Sequence, residues 1–221
     1  MSKKEEETNR NFKRGLVIFI LGVILLVLFI WSTGAFSKNS DATKFYSEYG
    51  SVSDIKENNL YKYASKEQVL NILDHDTGVI YFGYSTCTWC KSMVSVLNDA
   101  AREAEVKEIN YYDIKNDRDE LVLNENNEII TEKQGTAFYR ELLKELDDVL
   151  SPYLLKDSEG KEVDTEEKRI YVPLVVFVKE GEAVFAHQNT IESQDDPMKK
   201  LTKKEEEELK AIYKKGFDLI K

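Results

Sequence analysis

Residues 81–91 read Tyr-Phe-Gly-Tyr-Ser-Thr-Cys-Thr-Trp-Cys-Lys, YFGYSTCTWCK. The run that leads into them, Val79-Ile80-Tyr81-Phe82-Gly83-Tyr84, is uncharged and rich in β-branched and aromatic residues, the composition of a strand covered on both faces. Beyond them Met93, Val94, Val96, Leu97, Ala100 and Ala101 recur at helical spacing, which predicts a helix from Trp89 to about Ala104. The two cysteines therefore fall where a strand turns into a helix. Unpaired backbone N–H groups and the helix dipole stabilise a negative sulfur at the first position. The thiolate is the form that attacks a disulfide, so Cys87 is expected to be the nucleophile and Cys90, one turn inward, the resolving thiol.

Cys87 and Cys90 are the only cysteines of the 221 residues. A closed zinc site would usually need a second pair, and the only histidines, His75 and His187, are a poor substitute. No metal and no cofactor are expected. An inert buried pair is the plainer alternative, since free cysteine often packs as a small hydrophobe. As a disulfide staple the pair would close too short a loop to be useful.

Outward from this centre the signals continue. Ser65-Lys66-Glu67-Gln68 is a capping box that opens a helix carrying Val69, Leu70, Ile72 and Leu73. Ile109 to Ile114 predicts a second strand, parallel to the first because a helix connects them. A polar passage follows, with a turn at Asn124 to Asn127, and then a helix marked by Phe138, Leu142, Leu143, Leu146, Val149 and Leu150. After a polar loop from Lys156 to Lys168, the runs 170–178 and 183–186 flank Lys179-Glu180-Gly181-Glu182 as a hairpin. Thr202-Lys203-Lys204-Glu205 caps a final helix through Leu209, Ile212, Tyr213, Phe217 and Ile220. The fold class is α/β, a central mixed sheet flanked by helices with a helical insertion.

This order, together with YFGYSTCTWCK (81–91), NYYDIKND (110–117) and VPLVVFVKEGE (172–182), resembles the thioredoxin superfamily over roughly Tyr61 to Lys221. Within it, the pattern is most similar to the small thioredoxin-like proteins described as bacteriocin-transport accessory proteins. The resemblance implies a thioredoxin-like domain at 60–221 and a cis bond before Pro173, with Val172 pairing an extended client opposite the dithiol. It also brings departures. Thr88-Trp89 replaces Gly-Pro, Thr86 stands where thioredoxins carry a tryptophan, and Asn189 replaces a glycine expected after the hairpin. Tyr81 occupies the strand position of a buried acid that assists proton movement at the second cysteine, so that movement must use water or another group. Trp89 either touches a client or packs on the domain surface. Lys91 either favours a thiolate or is a solvated helix lysine.

The N-terminal sequence sets the compartment. From Gly15 to Trp31 no charge occurs, and the stretch 15–33 is long enough to span a bilayer as an uncleaved signal-anchor; a cleaved signal peptide is the rival reading. Five Lys or Arg residues precede it, whereas only Lys38 and Lys44 follow closely, so the positive-inside bias puts the tail 1–14 in the cytoplasm and the rest outside. Trp31 and Phe36 would sit at the outer interface. Residues 34–59, polar and without sustained periodicity, read as an extracytoplasmic stalk with at most a short helical turn near Phe45 and Tyr46. Outside the cytoplasm a dithiol can exchange with exported proteins.

The net charge of −10 argues against nucleic acid. The expected function is a membrane-anchored thiol-disulfide oxidoreductase acting on exported protein or peptide clients through Cys87 and Cys90, recycled by a separate redox partner. The alternatives are a non-catalytic accessory module that assists peptide (bacteriocin) export, and an oxidant sensor that reports to a membrane partner.

Overall fold

The computed structural model describes residues 16, 17, 19, 20, 22–24, 40–50 and 53–221. The described residues between 16 and 24 are helical, with Leu16, Phe19 and Ile24 exposed. The expected tail 1–14, most of the expected anchor 15–33 with Trp31, and residues 34–39 with Phe36 lie outside the described residues. Among those described, no helix is long and apolar enough to cross a membrane. The chain divides into a unit 1–40 and a unit 41–221, and the second holds the sheet and both cysteines.

In chain order the elements are α1 (Ser40–Tyr49), β1 (Tyr61–Tyr63), α2 (Lys66–Asp74), β2 (Gly78–Gly83), α3 (Thr88–Glu103), β3 (Ile109–Asp113), β4 (Glu120–Leu123), β5 (Ile129–Lys133), α4 (Ala137–Glu145), a short 3-10 turn Asp147–Val149, β6 (Ser151–Lys156), β7 (Glu162–Arg169), β8 (Leu174–Lys179), β9 (Glu182–Gln188) and α5 (Lys203–Leu219). Five strands form one mixed sheet in the order β1-β3-β2-β8-β9. β1 and β2 run parallel to β3, β8 is antiparallel to β2, and β9 is antiparallel to β8.

The central strand explains the layering. Successive side chains of a strand point to opposite faces, so Val79 and Tyr81 join α1, α3 and α5 on one side, while Ile80 and Phe82 join α2 and α4 on the other. An uncharged run such as 79–84 is what a strand buried on both faces requires. The two capping boxes form as the sequence predicts, Ser65 with Gln68 and Thr202 with Glu205. At the β8–β9 turn Gly181 has φ +85, and a Cβ there would lie 2.5 Å from the carbonyl of Asp74, so only glycine fits.

Two expectations are corrected. The stretch 34–59 is not a stalk throughout: from α1 onward it is part of the fold. Phe45 stacks on Tyr49 at 4.3 Å and on Tyr61 at 3.8 Å between ring centroids, and both Phe45 and Tyr49 are fully buried. Asn59 ties the end of the segment down, its amide donating to the carbonyls of Ala42 and Lys56 at 2.8 Å each. Nor is the insertion between β3 and β8 purely helical. It holds α4 between two hairpins, β4–β5 closed by the expected turn at Asn124 to Asn127, and β6–β7. Most of the loop expected at 156–168 is β7, whose inward side is carried by Val163 and Thr165 between the exposed Glu162, Asp164 and Glu166, too little apolar surface to mark a strand.

Candidate functional site

β2 ends at Gly83 and α3 begins at Thr88, so the turn between them carries Cys87 to the helix entrance. Cys87 is the N-cap. Its Sγ accepts the backbone N–H of Cys90 at 3.1 Å, filling the role that Ser, Thr or Asp usually plays at a helix start. Both cysteines are free thiols. Cys87 is 8% exposed and Cys90 0%, so the expected nucleophile is more covered than that role suggests, though it remains the more exposed of the two.

The two thiols are driven in opposite directions. Hydrogen bonding from the Cys90 thiol holds the Cys87 pKa below the ordinary thiol value. Burial opposes this, and the N–H groups of Cys90 and Trp89 and the charge of Arg118 support it. Cys90 is pushed far up, first by burial and then by the neighbouring Cys87 sulfur. One thiol is thus prepared to ionise while the other is kept protonated.

Val172 and Pro173 come to the same place. The Cys87 thiol faces the Val172 carbonyl at 3.9 Å, and the Val172–Pro173 bond is cis, as the resemblance implies. Pro173 is buried and its carbonyl accepts the N–H of Asn189 at 2.8 Å, which joins the start of β8 to the loop after β9. For Trp89 the packing alternative is the one seen. It is half-buried against the core around Cys90 and lines an open cavity of about 740 Å³ with His187, Thr190, Ile191, Gln194 and Ile212. Lys91 lines a different, small recess with Asp54 and Lys200.

The cation beside Cys87 is Arg118, which sequence reasoning missed. Its guanidinium donates to the Tyr84 hydroxyl and the Ile170 carbonyl, each at 3.4 Å, and lies 5.5 Å from the Tyr84 ring centroid. Lys115 from the same loop donates to Thr86 at 3.2 Å. Asp117 holds the loop in place, accepting from Tyr112 and Thr136 at 2.8 Å each and pairing with Lys66. Nothing in the polar passage marks these residues, because their proximity to Cys87 is created by the parallel pairing of β2 and β3.

Comparison of the chain with protein-family models, with curated proteins and with solved structures returned no match.

The opposed thiol environments have a measurable consequence. In the reduced full-length chain, iodoacetamide should label Cys87 at least about 100-fold faster than Cys90 at neutral pH, since labelling follows thiolate fraction and access. A depressed pKa means that the thiolate is already present below the ordinary thiol range, so the rate rises with pH early and then levels off. Arg118→Gln should move that rise to higher pH. Equal, slow labelling of both thiols would mean an inert pair.

Proposed function

We propose that this chain is a membrane-anchored, extracytoplasmic thiol-disulfide oxidoreductase with a thioredoxin-like domain, acting on exported proteins or peptides. The observation that carries the reading is the pairing of a helix-capping, ionisable Cys87 with a sequestered, protonated Cys90, opposite the carbonyl of Val172. Exchange requires these three things together: a thiolate that attacks, a second thiol that waits, and a backbone edge that holds an extended client across the attacking sulfur. The sheet order, the position of the dithiol after β2 and the cis proline before β8 support the thioredoxin-like assignment.

In the proposed cycle Cys87 attacks a client disulfide, or is itself attacked when the pair starts oxidised. Val172 offers its backbone to the client strand, and Trp89 with the neighbouring cavity takes a flanking side chain. The uncharged 15–33 stretch and the basic residues before it support anchoring with the domain outside the cytoplasm. A separate redox partner then resets the pair.

Turnover tests this reading. The full-length chain in detergent micelles is expected to catalyse reduction of insulin when supplied with dithiothreitol, or oxidation of a dithiol peptide when supplied with glutathione disulfide, well above the uncatalysed rate. Its reduction potential, set against that of the compartment, gives the direction. Tight peptide binding without turnover would instead favour the accessory-module alternative and sink the enzyme reading.

A further inference from the structure

Tyr81 lies at the centre of β2, opposite Tyr111 on β3 and Val175 on β8, and is fully buried. Its ring leans along the strand over Gly83. A Cβ at Gly83 would overlap the Tyr81 hydroxyl, so position 83 must be glycine for the hydroxyl to rest where it does. There the hydroxyl shares the buried cluster that holds Cys90 and Tyr49, near enough to the Cys90 thiol and the Tyr49 hydroxyl to influence the ionisation of both. In the resting dithiol it completes a full hydrogen bond with neither, and Tyr49 gives its own proton to Tyr111 at 3.1 Å. Buried hydroxyls are seldom left in this condition, and each such group calls for an explanation.

We propose that the Tyr81 hydroxyl is a catalytic hydrogen-bond donor to the Cys90 sulfur, stabilising it as a thiolate when the mixed disulfide resolves. The inference rests on the exchange reading above. A phenol is a weak partner for a neutral thiol and a much better one for a sulfur anion, because hydrogen bonds to charged groups are the strong ones. Its missing partner therefore arrives when Cys90 ionises.

In the resolving step Cys90 gives up its proton, and its sulfur bonds to Cys87 Sγ. The bond from Cys87 to the client breaks. The client sulfur leaves with the electron pair and takes up, through solvent, the proton that Cys90 released. Two electrons pass from the dithiol to the client disulfide. Tyr81 keeps its own proton throughout. In the reverse direction the same hydroxyl supports Cys90 as the leaving group when an incoming thiolate opens the Cys87–Cys90 disulfide.

Among the described residues, the titratable groups in electrostatic reach of Cys90 are Cys87 on its own helix, Tyr49 from α1, Tyr61 from β1, Tyr81 from β2, Tyr111 from β3 and Tyr213 from α5. Burial raises the pKa of every one of these phenols. Charging Cys90 is eased first by the backbone N–H of Tyr84 and then by the Tyr81 hydroxyl, the phenol of this set that has that effect.

The test uses glutathione disulfide as probe and the full-length chain in detergent micelles, with acid quench and mass analysis to separate adduct formation at Cys87 from its resolution by Cys90. Tyr81→Phe is expected to form the adduct within about twofold of the parent rate and to resolve it about 10- to 100-fold more slowly, the factor expected for losing one hydrogen bond to a charged group. The pH dependence of resolution should shift upward while that of adduct formation stays. Tyr213→Phe, which removes another fully buried hydroxyl without a partner, should leave resolution unchanged. Should Tyr81→Phe fail to fold, Gly83→Ala displaces the same hydroxyl with the ring retained and should slow the same step. Parent-like resolution in Tyr81→Phe, or equal slowing in Tyr213→Phe, overturns the proposal. Failure of the parent chain to form any adduct at Cys87 overturns the exchange reading itself.

Discussion

Replacing Cys90 with alanine in the full-length chain is expected to give a protein that captures client disulfides and does not release them. Turnover should fall at least about a thousandfold, because the second step has lost its nucleophile while the first is intact. Cys87 still caps α3, still meets the N–H at position 90, and still has Arg118 nearby. Part of its depressed pKa is lost with the Cys90 thiol, the largest single influence on it, so capture should slow somewhat at low pH. Cys87→Ala should form no adduct at all, since Cys90 is 0% exposed and held as the thiol. Non-reducing electrophoresis followed by mass analysis of the trapped species separates these outcomes. Adducts of equal yield in both variants would show that Cys90 can attack directly and would end the assignment of roles.

Phe45→Ala should cost about 3–5 kcal/mol of folding stability, the usual range for deleting a buried aromatic ring. Against the roughly 5–15 kcal/mol that a domain of ordinary stability possesses, that is a large fraction. The reason is the position of the ring. Phe45 lies between the faces of Tyr49 and Tyr61 and meets the edge of Tyr111 at 5.1 Å between centroids. Its loss leaves a cavity bordered by rigid rings on β1 and β3, which cannot collapse into it. Beginning the chain at residue 60 should have a still larger effect by uncovering Tyr61 and Tyr111 together. Denaturant unfolding of the full-length variant measures the first claim, and a loss below about 1 kcal/mol, typical of a surface change, would restore the stalk reading.

The contrast between these two sites shows where the sequence was legible. The dithiol could be read because its signal is local: a strand pattern, a helix pattern and two cysteines at their junction, with Pro173 supplying the distant partner. The capping boxes at Ser65 and Thr202 were equally local, and both formed. Helix α1 was read only as a short turn near Phe45 and Tyr46 because its apolar side consists of Ala42, Phe45 and Tyr49 within ten residues otherwise dominated by Ser, Asp, Lys and Glu. Hairpins β4–β5 and β6–β7 escaped because their buried positions are few, Leu121, Tyr153 and Thr165, among charged and polar neighbours, and β5 is exposed throughout. Arg118 was invisible for another reason. Its importance is a distance across two parallel strands, and a linear pattern holds no such distance.

The neck of the insertion has a consequence for how this protein can change. Arg118 and Ile170, one residue outside either end of the segment 119–169, are joined by the hydrogen bond from the guanidinium to the Ile170 carbonyl. Both ends also border the dithiol, through Arg118 beside Cys87 and through Val172 opposite it. The segment between them is a loop already closed at its base, and lengthening a closed loop alters its closure entropy only slowly. Hairpins there can be extended, shortened or exchanged with little penalty to the sheet, provided that the two ends keep their grip. Such changes would leave the surroundings of Cys87 as they are, because Arg118 and Val172 both lie outside the segment.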